Sequence, residues 1–257
     1  MNPAQNALNL LKKYSIDKPD NLNLEEISYA ERLIVDEEPM ENCLGRTQFK
    51  KDIGLVKINS NITDKGQKRF TLAHEMGHYF NEKDIRQYSM YACTVDDINS
   101  FNSNKIFENN ANEFAAELLM STDWFKKFTG KRELNVDLIK ETAQYFNTSL
   151  TATAIKYAVH GTIPSAVIMS KEGKVVWHCP NEYFPLKWIP KDYKLNKYSG
   201  AYKFFKGRET TQEENLIQAS VWYFDDYNCR DDVYLFEQNV FMPNYNSVLT
   251  LLWMFED

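Results

Sequence analysis

The chain has 257 residues, 43% of them apolar, which is enough to bury the core of one large domain or two modest ones. A formal net charge of −6 disfavours long-range attraction to phosphate backbones, so nucleic acid is not the default partner. No apolar stretch approaches the roughly 20 residues that span a bilayer, and the N-terminus MNPAQNALNLLKKYS lacks the basic start and apolar run of a secretory signal. The expectation is a cytoplasmic protein with no membrane association.

Residues 4–14 place Ala7, Leu8, Leu11 and Tyr14 at helical spacing, and residues 24–34 repeat the pattern less cleanly, so two opening helices are predicted. GLVKINSNI at 54–62 alternates apolar and polar positions and reads as a strand. Asp64 followed by Gln67 is a capping pattern, predicting a helix that starts there and runs through HEMGH at 74–78. Residues 83–106 are polar and read as a loop or a pair of short elements. Helices are predicted at 107–120, 122–129, 135–146 and 149–160, the last stopping at Gly161. From Pro164 the texture changes to AVIMS-type and VVWHC strands around KEGK, then VWYF, DVYLFEQNVFM and SVLTLLWMF, all rich in β-branched and aromatic residues. The predicted class is α+β: a mainly helical core with a small sheet, a boundary near 160–165, and a mixed, mainly sheet domain beyond it.

HEMGH carries the chemistry. Two histidines four apart lie within about 40° of each other on a helix and can both ligate one zinc ion, with the glutamate beside them reaching a water on the metal. Leu72, Ala73, Met76, Tyr79 and Phe80 fall on roughly the opposite side, giving an apolar back and a histidine front. With only 4 histidines in the chain, a chance HExxH is about a 0.5% coincidence, so His74 and His78 are taken as zinc ligands and Glu75 as the catalytic base. A catalytic zinc needs a third protein donor. In FENNANEFAAELLM, Glu108 sits at the edge of the apolar stripe with Asn112 one turn on, while Glu113 and Glu117 point away and read as solvated. Glu108 is the candidate third ligand, Asn112 its neighbour in the outer shell, and Asp96 and Asp97 are weaker alternatives. The cysteines Cys43, Cys93, Cys179 and Cys229 form no CxxC pair, which argues against a thiolate zinc site and a disulfide framework and leaves buried thiols as the expectation.

FTLAHEMGHYF at 70–80 and ENNANEFAAELLM at 108–120 together resemble the ImmA/IrrE family of zinc metallopeptidases. The resemblance implies His74, His78 and Glu108 as ligands and Glu75 as base. It implies a zincin-like peptidase core over 1–130, a helix-turn-helix-like region over 131–163 and a GAF-like domain over 164–257. It also implies a regulatory endopeptidase that cleaves a helix-turn-helix repressor. The second helix departs from the family's LLMP ending, reading LLMS with Ser121.

An extended substrate could pair with the strand around Val56 to Asn59 by β-augmentation. A non-proteolytic regulatory protein, bound to DNA or sequestering a toxin or antitoxin partner, is the competing reading. Within 131–160, Lys131, Arg132, Lys140 and Lys156 stand against Glu133, Asp137 and Glu141, too little charge for a phosphate-binding footprint. Tyr79, Tyr88 and Tyr91 are expected to be structural, and no residue set after Pro164 identifies a ligand.

Overall fold

The computed structural model describes residues 2–83, 88–94, 106–130, 132–190 and 192–254. It divides into two compact units, one of Met1–Lys127 with Ala143–Ser149, the other of Phe128–Thr142 with Leu150–Asp257. The units part after Lys127, with Ala143–Ser149 returning to the first.

In the first unit, helix α1 (Pro3–Lys13) forms on the predicted spacing, with Asn2 accepting from the Gln5 amide and Ala7, Leu10 and Leu11 buried. Helix α2 covers only Leu24–Ala30, because Arg32 takes a left-handed conformation (φ 61°) and Leu33 begins strand β1 (Leu33–Glu38). Strand β2 (Gly45–Lys50) and β3 (Ile53–Asn59) follow, then helix α3 (Lys65–Glu82), strand β4 (Tyr88–Cys93) and helices α4 (Ile106–Leu119) and α5 (Thr122–Thr129). The sheet order is β1-β3-β2-β4, with β1 parallel to β3 and the other pairs antiparallel. The unit is thus mainly helical with one small sheet, consistent with the α+β class expected. The missed strand β2 buries only Gly45, Thr47 and Phe49 and shows polar side chains on its other face, too short an alternation to stand out in GRTQFK. The sheet order corrects the substrate strand: β3 lies inside the sheet with both edges paired, so Val56 to Asn59 cannot take another strand.

Helix α3 starts as predicted, with Asp64 Oδ1 accepting from the Gln67 amide at 2.6 Å. It is buried on two sides. Glu75 and Tyr79 meet the sheet, where Thr47 Oγ1 lies 3.1 Å from the Glu75 carbonyl oxygen and the Tyr79 ring stands edge-on to Phe49. Tyr79 Oη donates to the carbonyls of Glu31 and Asp52, a structural role as expected. His74, Gly77 and Asn81 meet α4: a Cβ on Gly77 would stand 2.9 Å from Ala111 Cα, so glycine lets the two helices close on each other. The side chain of Met76 is wholly buried, worth roughly 1.5–3 kcal/mol.

In the second unit, helix α6 (Val136–Phe146) contributes its first half and α7 (Leu150–His160) all of its length. Strands β5 (Ser165–Lys171) and β6 (Lys174–Pro180) form the predicted hairpin, turning through Glu172 and Gly173 at positive φ. With β7 (Asn215–Gln218), β8 (Tyr234–Met242) and β9 (Ser247–Trp253) they make an antiparallel sheet in the order β6-β5-β9-β8-β7. All seven residues of β9 are buried, because both faces of the sheet are covered. Val167, Leu249 and Leu251 face Val136, Ile139, Leu150 and Ala154 of α6 and α7. Ile168, Val248 and Leu252 pack on the other side with Phe184, Leu186 and Trp222. The first half of α6 and the whole of α7 thus serve as cover for this sheet, which is why they belong to its unit. Two short helices, α8 (Gly200–Phe205) and α9 (Ser220–Tyr223), lie between β6 and β8. The VWYF segment, expected as a strand, falls largely within α9, since four consecutive apolar residues carry no period that separates the two states.

Candidate metal centre

Two helices and one strand converge on a small buried cluster of donors. His74 and His78 leave α3 one turn apart, and their Nε2 atoms lie 3.2 Å from each other. Glu108, in the first turn of α4, brings Oε2 to 3.2 Å from His74 Nε2 and 3.5 Å from His78 Nε2. Cys93, the last residue of β4, places Sγ 3.3 Å from His78 Nε2. The four donor atoms all lie within 4.8 Å of one another. Four donors about 2.0–2.3 Å from one ion in a tetrahedron stand roughly 3.3–3.8 Å apart, so the measured separations suit a metal ion at their centre.

The surroundings orient these donors. His74 Nδ1 lies 2.8 Å from Asn112 Oδ1, which fixes its ring with Nε2 turned inward. His78 is stacked on the Tyr91 ring at 4.1 Å, its Nδ1 lies 3.8 Å from Glu82 Oε1, and Tyr91 Oη donates to Glu82 Oε2. Tyr91 is therefore part of the site's wall, beyond the structural role expected of it, while Tyr88 is exposed. Glu75 is turned to the sheet side, where Thr47 Oγ1 donates to its Oε2 at 2.5 Å and Oε1 has no hydrogen-bond partner among the described residues. It fits because residue 45 is glycine: a Cβ there would stand 2.5 Å from Glu75 Oε1.

Charge gives the cluster its character. The carboxylates of Glu75, Glu82 and Glu108 are all buried beside two imidazoles, an excess of negative charge that costs heavily unless a cation offsets it. Burial alone would lower the pKa of His78, but Glu108, Glu82 and Glu75 outweigh it and raise the value to about 9. Burial would raise Glu108, yet His74 and His78 outweigh that and hold it well below the usual carboxylate range. Both shifts express a pocket that favours positive charge, whether a proton or a metal cation.

Of the residues singled out from sequence, His74, His78, Glu108, Glu75 and Asn112 come together here. Asp96 and Asp97 lie outside the described residues. Glu117, expected to be solvated, is instead buried and accepts from the Thr122 amide and hydroxyl at 2.8 Å, capping α5. Ser121, where the family pattern has proline, helps open the same helix through an Oγ contact to the Trp124 amide. Cys93 was missed. It arrives from a strand, so no ligand spacing in the sequence announces it. Cys43, Cys93 and Cys179 are buried as expected, and Cys229 is partly so.

No curated protein sequence matches the chain. A solved structure titled a Mycobacterium tuberculosis transcriptional regulator superposes on 98% of this chain and 76% of its own length, with a TM-score of 0.57 and 11% identity, a likeness of fold. No helix among the described residues is long and apolar enough to cross a membrane. Residues 35–157, which hold every residue of the cluster, match the peptidase family described as the IrrE N-terminal-like domain, and this match supports assigning that part of the chain to the ImmA/IrrE family.

Proposed function

We propose that the protein is a zinc-dependent endopeptidase of the cytoplasm that cleaves a specific helix-turn-helix repressor. The observation that carries this reading is the convergence of His74, His78 and Glu108, with Asn112 behind His74 and the buried Glu75 carboxylate beside them. Two imidazoles and a carboxylate are a donor set suited to catalytic zinc. Zinc held there would polarise a scissile carbonyl and make a bound water acidic near neutral pH.

The remaining work falls to the chain's own residues. Glu75 follows His74 by one position and lies about 100° around α3 from it. Thr47 already occupies Oε2, so Oε1 is the atom that takes a proton from the attacking water and passes it to the leaving amine. An extended substrate segment would pair with β4, an edge strand of its sheet that carries Tyr91 and Cys93 beside His78. The repressor as substrate, the helix-turn-helix-like character of 131–163 and the GAF-like, ligand-sensing character of 164–257 rest on family resemblance.

Co-expression with helix-turn-helix repressors, read as defined fragments on a gel and by mass spectrometry, tests the reading. Fragments that require the metal support it, and intact repressors throughout would favour the non-proteolytic alternative. Gly45→Ala offers a finer check. The new Cβ would push the Glu75 carboxylate aside while the flexible end of that side chain absorbs the clash, so fold and metal content should persist. Hydrolysis should drop about 10²-fold, the usual cost of misplacing a catalytic group by about 1 Å. Unchanged hydrolysis would remove Glu75 Oε1 from the mechanism.

A further inference from the structure

Cys93 is the one member of the donor cluster that the peptidase reading leaves without a task. Strand register fixes its position. Cys93 pairs with Gly45 across β2 and β4, and the Leu44 amide donates to the Cys93 carbonyl at 2.8 Å. Tyr91, two residues earlier and therefore on the same face of β4, is pinned against His78. The Sγ atom thus reaches 3.3 Å from His78 Nε2 as part of a paired strand.

Catalytic zinc sites keep three protein donors and one open position, whereas closed sites have four. Here the fourth corner is a thiol, a stronger zinc donor than the water it would exclude. Burial points the same way. His74 and Cys93 are each 0% exposed, His78 1% and Glu108 5%, so the four donors stand almost wholly out of contact with solvent in this form.

Resting on the reading that the cluster holds zinc, we propose that the Cys93 thiolate is a fourth zinc ligand that closes the site in a latent form of the peptidase. Hydrolysis requires it to leave. Opening breaks the bond between Sγ and the ion and returns a proton from solvent to the thiolate, with no oxidant or reductant taking part. The position so freed is the one that the water and the scissile carbonyl need.

Cobalt(II) in place of zinc in the full chain provides the test, because a thiolate on cobalt gives a near-ultraviolet charge-transfer band while visible bands report binding by any donors. The unmodified protein should show both. Cys93→Ser should lose the near-ultraviolet band and keep the visible ones, and Cys43→Ser should keep both. Visible bands without the charge-transfer band in the unmodified protein, or a band that survives Cys93→Ser, would overturn the proposal. No visible bands at all would sink the metal reading beneath it, so the two failures are distinguishable. X-ray absorption at the zinc edge of the unmodified protein needs no variant: a sulfur neighbour at about 2.3 Å is expected, and a shell of nitrogen and oxygen alone refutes the assignment. Cys93→Ala should also bind zinc at least about tenfold more weakly yet hydrolyse faster when zinc is in excess. Unchanged affinity and rate would count against a latent form.

Discussion

Glu75→Gln should leave about one metal ion per chain and the fold intact while lowering hydrolysis by about 10²–10⁴-fold, the usual worth of a general base. The substitution keeps size and the bond from Thr47 but removes the group that takes the proton. Glu75 is buried, and Gly45 leaves it just enough room, so the nearly isosteric glutamine fits where a larger residue would not. Removing one of three buried carboxylates also relieves some charge repulsion, so stability should not fall. The measurements are metal content, thermal melting and cleavage of an identified substrate, on the same preparation. Wild-type cleavage by the variant would show that Glu75 is not the base. Loss of the metal would instead place Glu75 among its ligands. A variant that binds but does not cut should retain its protein substrate, which makes Glu75→Gln a means of isolating that substrate.

His74→Ala and His78→Ala should each lower metal affinity by about 10³-fold or more. Binding at a zinc site of three or four donors is worth about 10–16 kcal/mol, so one donor carries roughly 4 kcal/mol, and each 1.4 kcal/mol is a factor of ten. The effect should exceed that share, because the remaining imidazole and the Glu108 carboxylate stay buried with less charge to balance them. The two variants are not equivalent. Removing His78 also takes away the ring on which Tyr91 stacks and loosens β4, whereas removing His74 leaves Asn112 without its imidazole partner and disturbs α4. Dialysis against a graded chelator followed by metal analysis gives the affinities, and circular dichroism confirms that the helices persist. Full metal retention in both variants would mean that the ion sits elsewhere in the chain.

What the sequence by itself determined is local in character. HEMGH on a helix capped by Asp64 follows from spacing within a few residues, and so do the pairing of Glu108 with Asn112 one turn apart and the 165–180 hairpin around Glu172 and Gly173. Those features depend on period and turn chemistry, which a short window of residues contains. Tertiary structure decided the rest. Strand β2 has three buried positions and becomes a strand because it can pair on both sides, and β4, a six-residue segment within the polar stretch 83–106, becomes a strand by pairing with β2. Glu117 becomes a buried cap only because α5 begins beside it. The place of 150–160 was settled by the bare apolar face of Val167, Leu249 and Leu251, which needed a helix to cover it. Cys93 shows the difference most sharply: 15 residues separate it from His78, no helical or strand period links them, and only the register of β4 against β2 brings sulfur to imidazole. Long-range pairing set that register, and a period read along one segment holds no information about which strand another segment will meet.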